Sequence, residues 1–272
     1  MMGRALKIIV AGAMGRMGQA LVRFIDQAED CELFGAVERP DHADLGADIG
    51  SLLLGRRIDV ALENDLWHCL PGAQAIIDFS QPEPTLLSAR IAAENKIPLV
   101  IGTTGFSAEQ KDEIRRAAQK APMVLAPNMS VGVNLLFHLA GRAASILDED
   151  YDVEIVETHH RHKVDAPSGT ALRLAEIVAH ERGVVDPETV FEHGRQGAVG
   201  PRGRGKIGIH ALRGGEIIGR HDLGFYSTGE VLTLSHHATS RDNFVQGAIR
   251  AAHWLQKQAP GLYDMLDVLG LK

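Results

Sequence analysis

Twelve residues, His159-His160-Arg161-His162-Lys163-Val164-Asp165-Ala166-Pro167-Ser168-Gly169-Thr170, bring five side chains that can carry positive charge to the start of a helical pattern. Such a cluster suits a small dianion. Its cations attract carboxylates, and an imidazole or ammonium can donate a proton. The Ser168-Gly169-Thr170 turn presents backbone N–H groups where a helix start favours negative charge. A second stretch, Gly12-Ala13-Met14-Gly15-Arg16-Met17-Gly18, follows an apolar run and opens another helical pattern, the context a dinucleotide-binding turn requires. Glycine lets the chain turn tightly and approach a pyrophosphate whose oxygens the helix N–H groups bind. Together the two stretches point to reduction of an acidic metabolite by a nicotinamide cofactor.

The glycine spacing is GxxGxxG rather than GxGxxG, and a plain strand-to-helix turn would also use it. Glu38 favours the nucleotide, because it lies 20 residues beyond Gly18 at the end of a second strand, where an acid binds ribose hydroxyls. Arg39 follows it. A carboxylate repels a 2′-phosphate and a guanidinium attracts one, so the pair predicts use of both NADH and NADPH. Gly102-Thr103-Thr104-Gly105 ends another strand on the same sheet edge and would bring backbone and hydroxyl groups to the nicotinamide side. Metal binding is the other use of His159, His160 and His162. The segment lacks the HExxH pattern, and the adjacent Arg161 and Lys163 raise the cost of a nearby cation, so no metal is expected.

These residues must be held by regular elements. Strands are expected over 6–11, 31–37, 75–79, 98–101 and 123–126, with helices over 19–28, 85–94 and 108–120. This alternation predicts a Rossmann-like parallel sheet covered by helices, with ligands at the carboxyl ends of its strands. After Asn128 the pattern changes: a helix over 133–147, a strand over 152–158, the cationic segment, a helix over 169–181, then strands over 206–212, 216–225 and 231–237. The links Arg213-Gly214-Gly215 and Ser227-Thr228-Gly229-Glu230 resemble hairpin turns, which predicts an α+β domain with a mostly antiparallel sheet. A last helix over 242–256 returns to the first domain. The fold class is therefore α/β, with a nucleotide domain of 1–130 and 241–272 and a substrate-binding and oligomerisation domain of 131–240.

Composition sets the broader class. A chain of 272 residues, 45% hydrophobic and 23% charged, has room for two globular domains. A net charge of −7 opposes general binding of nucleic acid. The glycine- and arginine-rich stretch 193–205 has no aromatic residue interleaved for base stacking and reads as a long loop. Cys31 and Cys69 make neither a disulfide framework nor a metal set. Arg4 and Lys7 precede an apolar run, but Ile8-Ile9-Val10-Ala11 is too short for a signal core, and no run approaches a membrane span. A cytoplasmic enzyme is expected, without nucleic-acid or membrane partners.

The chain resembles the 4-hydroxy-tetrahydrodipicolinate reductase (dihydrodipicolinate reductase) family. The resemblance rests on Val10 through Gly18, Ile101-Gly102-Thr103-Thr104-Gly105-Phe106, Asn128 through Asn134, and above all Glu157 through Leu172, with support from Ile207-Gly208 and Gly214 through Gly219. It implies reduction of 4-hydroxy-tetrahydrodipicolinate to tetrahydrodipicolinate in lysine and diaminopimelate biosynthesis. His159 would be proton donor or acceptor, and Lys163 the acid protonating the reduced intermediate. His160, Gly169 and Thr170 would bind substrate. NADH or NADPH would be held by Gly12, Ala13, Met14, Gly15, Arg16, Met17, Glu38, Arg39, Gly102, Thr103, Thr104, Ala126, Pro127, Asn128 and Met129. A lysine among like charges would also have its pKa lowered. Met14 and Gln81 depart from the family's usual smaller residue and arginine. The resemblance further implies a homotetramer built through the second domain's sheet. Two other readings share the nucleotide half: another two-domain dehydrogenase of an acidic metabolite, and a catalytically silent nicotinamide-binding sensor.

Overall fold

The computed structural model describes residues 5–272; Met1 to Arg4, including Arg4 of the N-terminal basic pair, lie outside the described residues. In chain order the elements begin β1 (Leu6–Ala11), α1 (Arg16–Gln27), β2 (Cys31–Val37), α2 (Ile49–Leu53), β3 (Leu62–Glu63), β4 (Ala75–Asp78), α3 (Pro82–Asn95), β5 (Leu99–Ile101), α4 (Ala108–Ala117) and β6 (Pro122–Leu125). They continue with α5 (Val131–Ala144), β7 (Asp152–His159), α6 (Gly169–Glu181), β8 (Phe191–His193), β9 (Ile207–Arg213), β10 (Gly219–Tyr226) and β11 (Val231–Ala238), and close with α7 (Asp242–Leu255), β12 (Gly261–Tyr263) and α8 (Met265–Leu269). Contacts divide the chain into two compact units, one running to Ser130 and resuming at Asp242–Lys272, the other spanning Val131–Arg241.

The first unit is a seven-stranded, wholly parallel sheet in the order β12-β6-β5-β4-β1-β2-β3. This is a Rossmann-like winding that reverses between β1 and β4, so the crevice beyond their carboxyl ends is the ligand position of the fold. Alternation of side chains along the central strands splits the core in two. Ile8, Val10 and Ile77 pack with Leu21 and Val22 of α1 and Val245 of α7, whereas Ile9, Ile76 and Leu99 pack with Leu86 of α3 and Ile114 of α4. Helix α1 starts at Arg16, three residues before the expected start, so the glycine turn runs into the first helical turn. Helix α3 starts at Pro82, whose fixed φ and missing N–H suit a first turn.

The second unit is a mixed five-stranded sheet in the order β11-β10-β7-β9-β8. Strand β7 pairs parallel with β9 and antiparallel with β10, β8 pairs parallel with β9, and β10 pairs antiparallel with β11. Helices α5 and α6 share an apolar cluster with Val153, Ile155, Ile209, Leu223 and Phe225. The Ser227–Glu230 link is a hairpin, but Arg213-Gly214-Gly215 is not. Strand β7 lies between β9 and β10, and because β9 runs parallel to β7 the chain leaving β9 emerges beside His159. There the Gly214 N–H donates to the His159 carbonyl at 3.0 Å and the Arg161 N–H donates to the Gly215 carbonyl at 3.1 Å. The expected hairpin is thus a crossover capping the end of β7, and β10 begins at Gly219 rather than Glu216. No helix among the described residues is long and apolar enough to cross a membrane.

Candidate active site

In the second unit, β7 carries Glu157 and His159 two positions apart, on one face of the strand. The Glu157 side chain is fully buried and that of His159 is 12% exposed. His159 Nδ1 lies 2.5 Å from Glu157 Oε2, while Arg213 at the end of β9 donates to both carboxylate oxygens at 2.8 Å. The Ser168 N–H donates to Glu157 Oε1 at 3.0 Å, which ties the start of α6 to the same carboxylate. Ser168 is also the N-cap of α6, its hydroxyl oxygen accepting the Ala171 N–H at 3.2 Å and lying 3.0 Å from His221 Nε2 of β10. Burial, with Lys163 and Arg213 adding to it, holds the His159 pKa below the usual imidazole value against the opposing pull of Glu157. Burial and then the charge on His159 push His221 down to about 4.

The cationic cluster is only partly gathered. His159, His160 and Lys163 are half-buried, whereas Arg161 and His162 face solvent. His160 Nδ1 is buried without a hydrogen-bond partner. Lys163 is not held among like charges alone: its ammonium donates to both oxygens of Asp165, at 2.8 and 2.7 Å. Gly169 and Thr170 are the first two residues of α6, where backbone N–H groups lack an acceptor within the helix.

In the first unit the glycine turn folds tightly against the start of α1, with the Gly12 and Ala13 N–H groups donating to the Val37 carbonyl at 2.9 and 3.0 Å. Gly12 has a φ of +74, and a Cβ there would lie 3.1 Å from the Phe79 carbonyl oxygen. A Cβ on Gly18 would lie 2.1 Å from the Gly12 oxygen, so only glycine brings α1 this close to the turn. Gly15 and Arg16 are exposed at the start of α1, with Ala13 buried beneath them and Met14 and Met17 partly buried. Glu38 follows β2, accepting the Met14 N–H at 2.9 Å and the Arg39 N–H at 3.0 Å. Arg39 is well exposed and ion-paired to Asp41 at 3.3 Å.

The edge beyond β4 and β5 completes this side. Buried Asp78 accepts the Ser80 N–H at 2.9 Å, and the Thr103 hydroxyl lies inside, 2.9 Å from that of Thr85. Thr104 is exposed. Gly102 fits under the Phe79 ring, which a Cβ would meet at 2.1 Å. After β6, Ala126 and Met129 are buried, Pro127 is exposed, and Asn128 Oδ1 accepts the Ser130 N–H at 2.9 Å. Gly247 of α7 passes so close to the Met129 carbonyl that a Cβ would lie 1.7 Å from it. These residues fit a nicotinamide dinucleotide lying across the switch point.

The three histidines do not converge as metal ligands. His159 is committed to Glu157, and the rings of His160 and His162 are 6.2 Å apart. Among the described residues the one grouping of three candidate ligand atoms is Asp30, Cys31 and His253, at the opposite end of the parallel sheet from Gly12. Burial and then Asp30 push the Cys31 thiol up to about 12, so this group stands as a protonated thiol beside an Asp30–His253 pair.

Glu157, Arg213 and His221 had no role assigned from the sequence, and Ser168 had only its place in the helix-start turn. A glutamate two positions before a histidine on a strand was the available signal for the first. Arg213 and His221 reach the site through sheet order, which no local pattern discloses.

Fold and site define a two-unit protein, a Rossmann-like nucleotide unit and an α+β unit bearing a cationic helix N-terminus. The dihydrodipicolinate reductase N-terminal model matches residues 6–129 and the C-terminal model residues 132–269, and the chain belongs to that family. It is 49% identical over 268 residues to 4-hydroxy-tetrahydrodipicolinate reductase of Syntrophus aciditrophicus, covering 98% of this chain and 99% of the relative. It is 49% identical over 264 residues to the enzyme of that name from Ruegeria pomeroyi, covering 97% and 98%. The solved structure of dipicolinate-bound dihydrodipicolinate reductase from Paenisporosarcina sp. TG-14 superposes with a TM-score of 0.76 at 25% identity, covering 97% of this chain and 99% of that one.

Proposed function

We propose that the protein reduces 4-hydroxy-tetrahydrodipicolinate to tetrahydrodipicolinate with NADH or NADPH, in the lysine and diaminopimelate route. The observation that carries this reading is the buried Glu157–His159 pair beside the N-terminus of α6, in a chain matched along both halves by one reductase family. In this reading the first unit is the dinucleotide domain and the second the substrate domain. The substrate loses water and then gains a hydride and a proton, and the bound dihydronicotinamide supplies the hydride.

The chain's own residues do the rest. Gly12 through Met17 accept the pyrophosphate, Glu38 the ribose, and Arg39 a 2′-phosphate when one is present. Gly102 through Thr104 and Ala126 through Met129 border the nicotinamide. Gly169 and Thr170 hold a substrate carboxylate at the helix N-terminus, and half-buried His160 binds the substrate with them. His159, kept largely neutral at pH 7 by burial, exchanges a proton through Nε2. Lys163 protonates the reduced intermediate once a substrate carboxylate replaces Asp165 beside its ammonium. The same reading makes the protein a cytoplasmic homotetramer. Its support is β11, an eight-residue edge strand carrying exposed Val231 and Leu232.

The test is oxidation of NADPH and NADH with substrate generated in place from pyruvate and aspartate semialdehyde by a separate synthase. Oxidation that requires the synthase is expected. Its absence despite cofactor binding would move the reading to a different dehydrogenase or a sensor.

A further inference from the structure

Glu157 is charged, completely buried, and joined to three elements at once. Its Oε2 meets His159 Nδ1 at 2.5 Å and Arg213 Nη1 at 2.8 Å, and its Oε1 accepts the Ser168 N–H at 3.0 Å and Arg213 Nη2 at 2.8 Å. Burial alone would raise its pKa, but hydrogen bonds from Arg213 and then His159 outweigh it and keep the carboxyl below its ordinary range. A merely structural ion pair needs Arg213 alone. The other two bonds lead to the proposed proton-transfer group and to the N-cap of the helix that would hold the substrate carboxylate.

We propose that Glu157, paired to Arg213, is the positioning residue of this site. It fixes His159 as the Nδ1–H tautomer, leaving Nε2 free for proton transfer, and sets the start of α6 relative to that nitrogen. Gly219 of β10 leaves the room this requires, since a Cβ there would lie 3.1 Å from His159 Nε2. The groups facing His159 are Glu157, Arg213, Lys163 from the following loop, and His221, whose ring centroid is 5.2 Å away in an edge-on arrangement. Of these, only Glu157 favours the imidazolium. Glu157→Gln therefore moves the His159 titration to lower pH.

The kinetic arm rests on the reductase reading; the spectroscopic arm does not. Nitrogen-15 NMR of histidine-labelled full-length protein at pH 8 should show His159 with a protonated Nδ1 and an unprotonated Nε2. Glu157→Gln should distribute the proton over both nitrogens, lower kcat at least about 10-fold, leave NADPH affinity unchanged and shift the His159 limb of the pH profile downward. A wild-type His159 protonated on Nε2, or a Glu157→Gln protein with unchanged tautomer, kcat and pH profile, overturns the proposal. If the single variant does not fold with Arg213 unpaired, the Glu157→Gln/Arg213→Gln amide pair carries the same comparison. Absence of synthase-dependent oxidation in the wild type would strike the reductase reading alone, and the wild-type spectrum would still decide the role of Glu157.

Discussion

Glu38 Oε2 accepts the backbone N–H of Met14 at 2.9 Å, so the acid at the end of β2 is tied to the glycine turn after β1. One carboxylate can thereby shape the pyrophosphate turn and offer its remaining lone pairs to a ribose. Glu38→Gln keeps an acceptor for Met14 but removes the charge that repels a 2′-phosphate. The NADPH-to-NADH affinity ratio should rise at least about fivefold. Fluorescence titration of both cofactors checks this, and an unchanged ratio would take Glu38 out of cofactor choice.

Arg39 has the opposite sign and already has an anion beside it, Asp41 at 3.3 Å. Arg39→Ala should weaken NADPH about tenfold and NADH little. Asp41→Ala, by releasing the guanidinium, should strengthen NADPH. Equal effects on the two cofactors would remove Arg39 from the 2′-phosphate site.

Lys163→Ala should lower turnover about 100-fold or more if its ammonium protonates the reduced intermediate. Pyridine-2,6-dicarboxylate should compete with the substrate. Near-normal turnover in the variant would end the role of Lys163 as acid, and lack of inhibition at millimolar dicarboxylate would count against the anion site.

Gly219 sits in a strand, where valine is a good β-former, yet a Cβ would press on His159 Nε2 at 3.1 Å. Gly219→Val should preserve the fold and cofactor binding while reducing kcat at least about tenfold. The pair of measurements that decides it is circular dichroism and single-turnover kinetics; a variant with wild-type kcat would show that the ring has room to move.

His221 is nearly inaccessible, and its pKa is pushed down to about 4, first by burial and then by His159. The folded state therefore resists a proton that the unfolded chain accepts from about pH 6.5. Its stability contribution is complete above that value and is lost as pH falls from about 6.5 to 4, on the order of 3 kcal/mol. His221→Gln keeps an acceptor for the Ser168 hydroxyl but does not titrate. Urea unfolding at pH 7 and pH 5 should show a smaller difference in the variant than in the wild type; equal differences would assign the acid sensitivity to another group.

Much of the nucleotide unit was legible because its signals are local. Buried parallel strands read as apolar runs, the glycine turn carries its own spacing, and Glu38 follows at a set distance. The short elements β3, β8 and β12 are two or three residues long and exist only because longer neighbours offer them an edge. The exposed ends of the cationic segment, Arg161 and His162, share the composition of the half-buried residues beside them, so composition could not separate the two sets.

The sequence by itself determined that a glycine-rich turn opens α1, that an acid follows β2, and that imidazoles and a lysine precede a serine-capped helix, because each is written within a few residues. Tertiary structure alone decided what surrounds them. With β7 inserted between β9 and β10, Arg213 and His221 arrive from 56 and 64 positions beyond Glu157 to neighbouring strands. The buried charge of Glu157 then needs those distant partners, since a carboxylate withdrawn from water persists only where hydrogen bonds and an opposite charge replace the solvent it has lost.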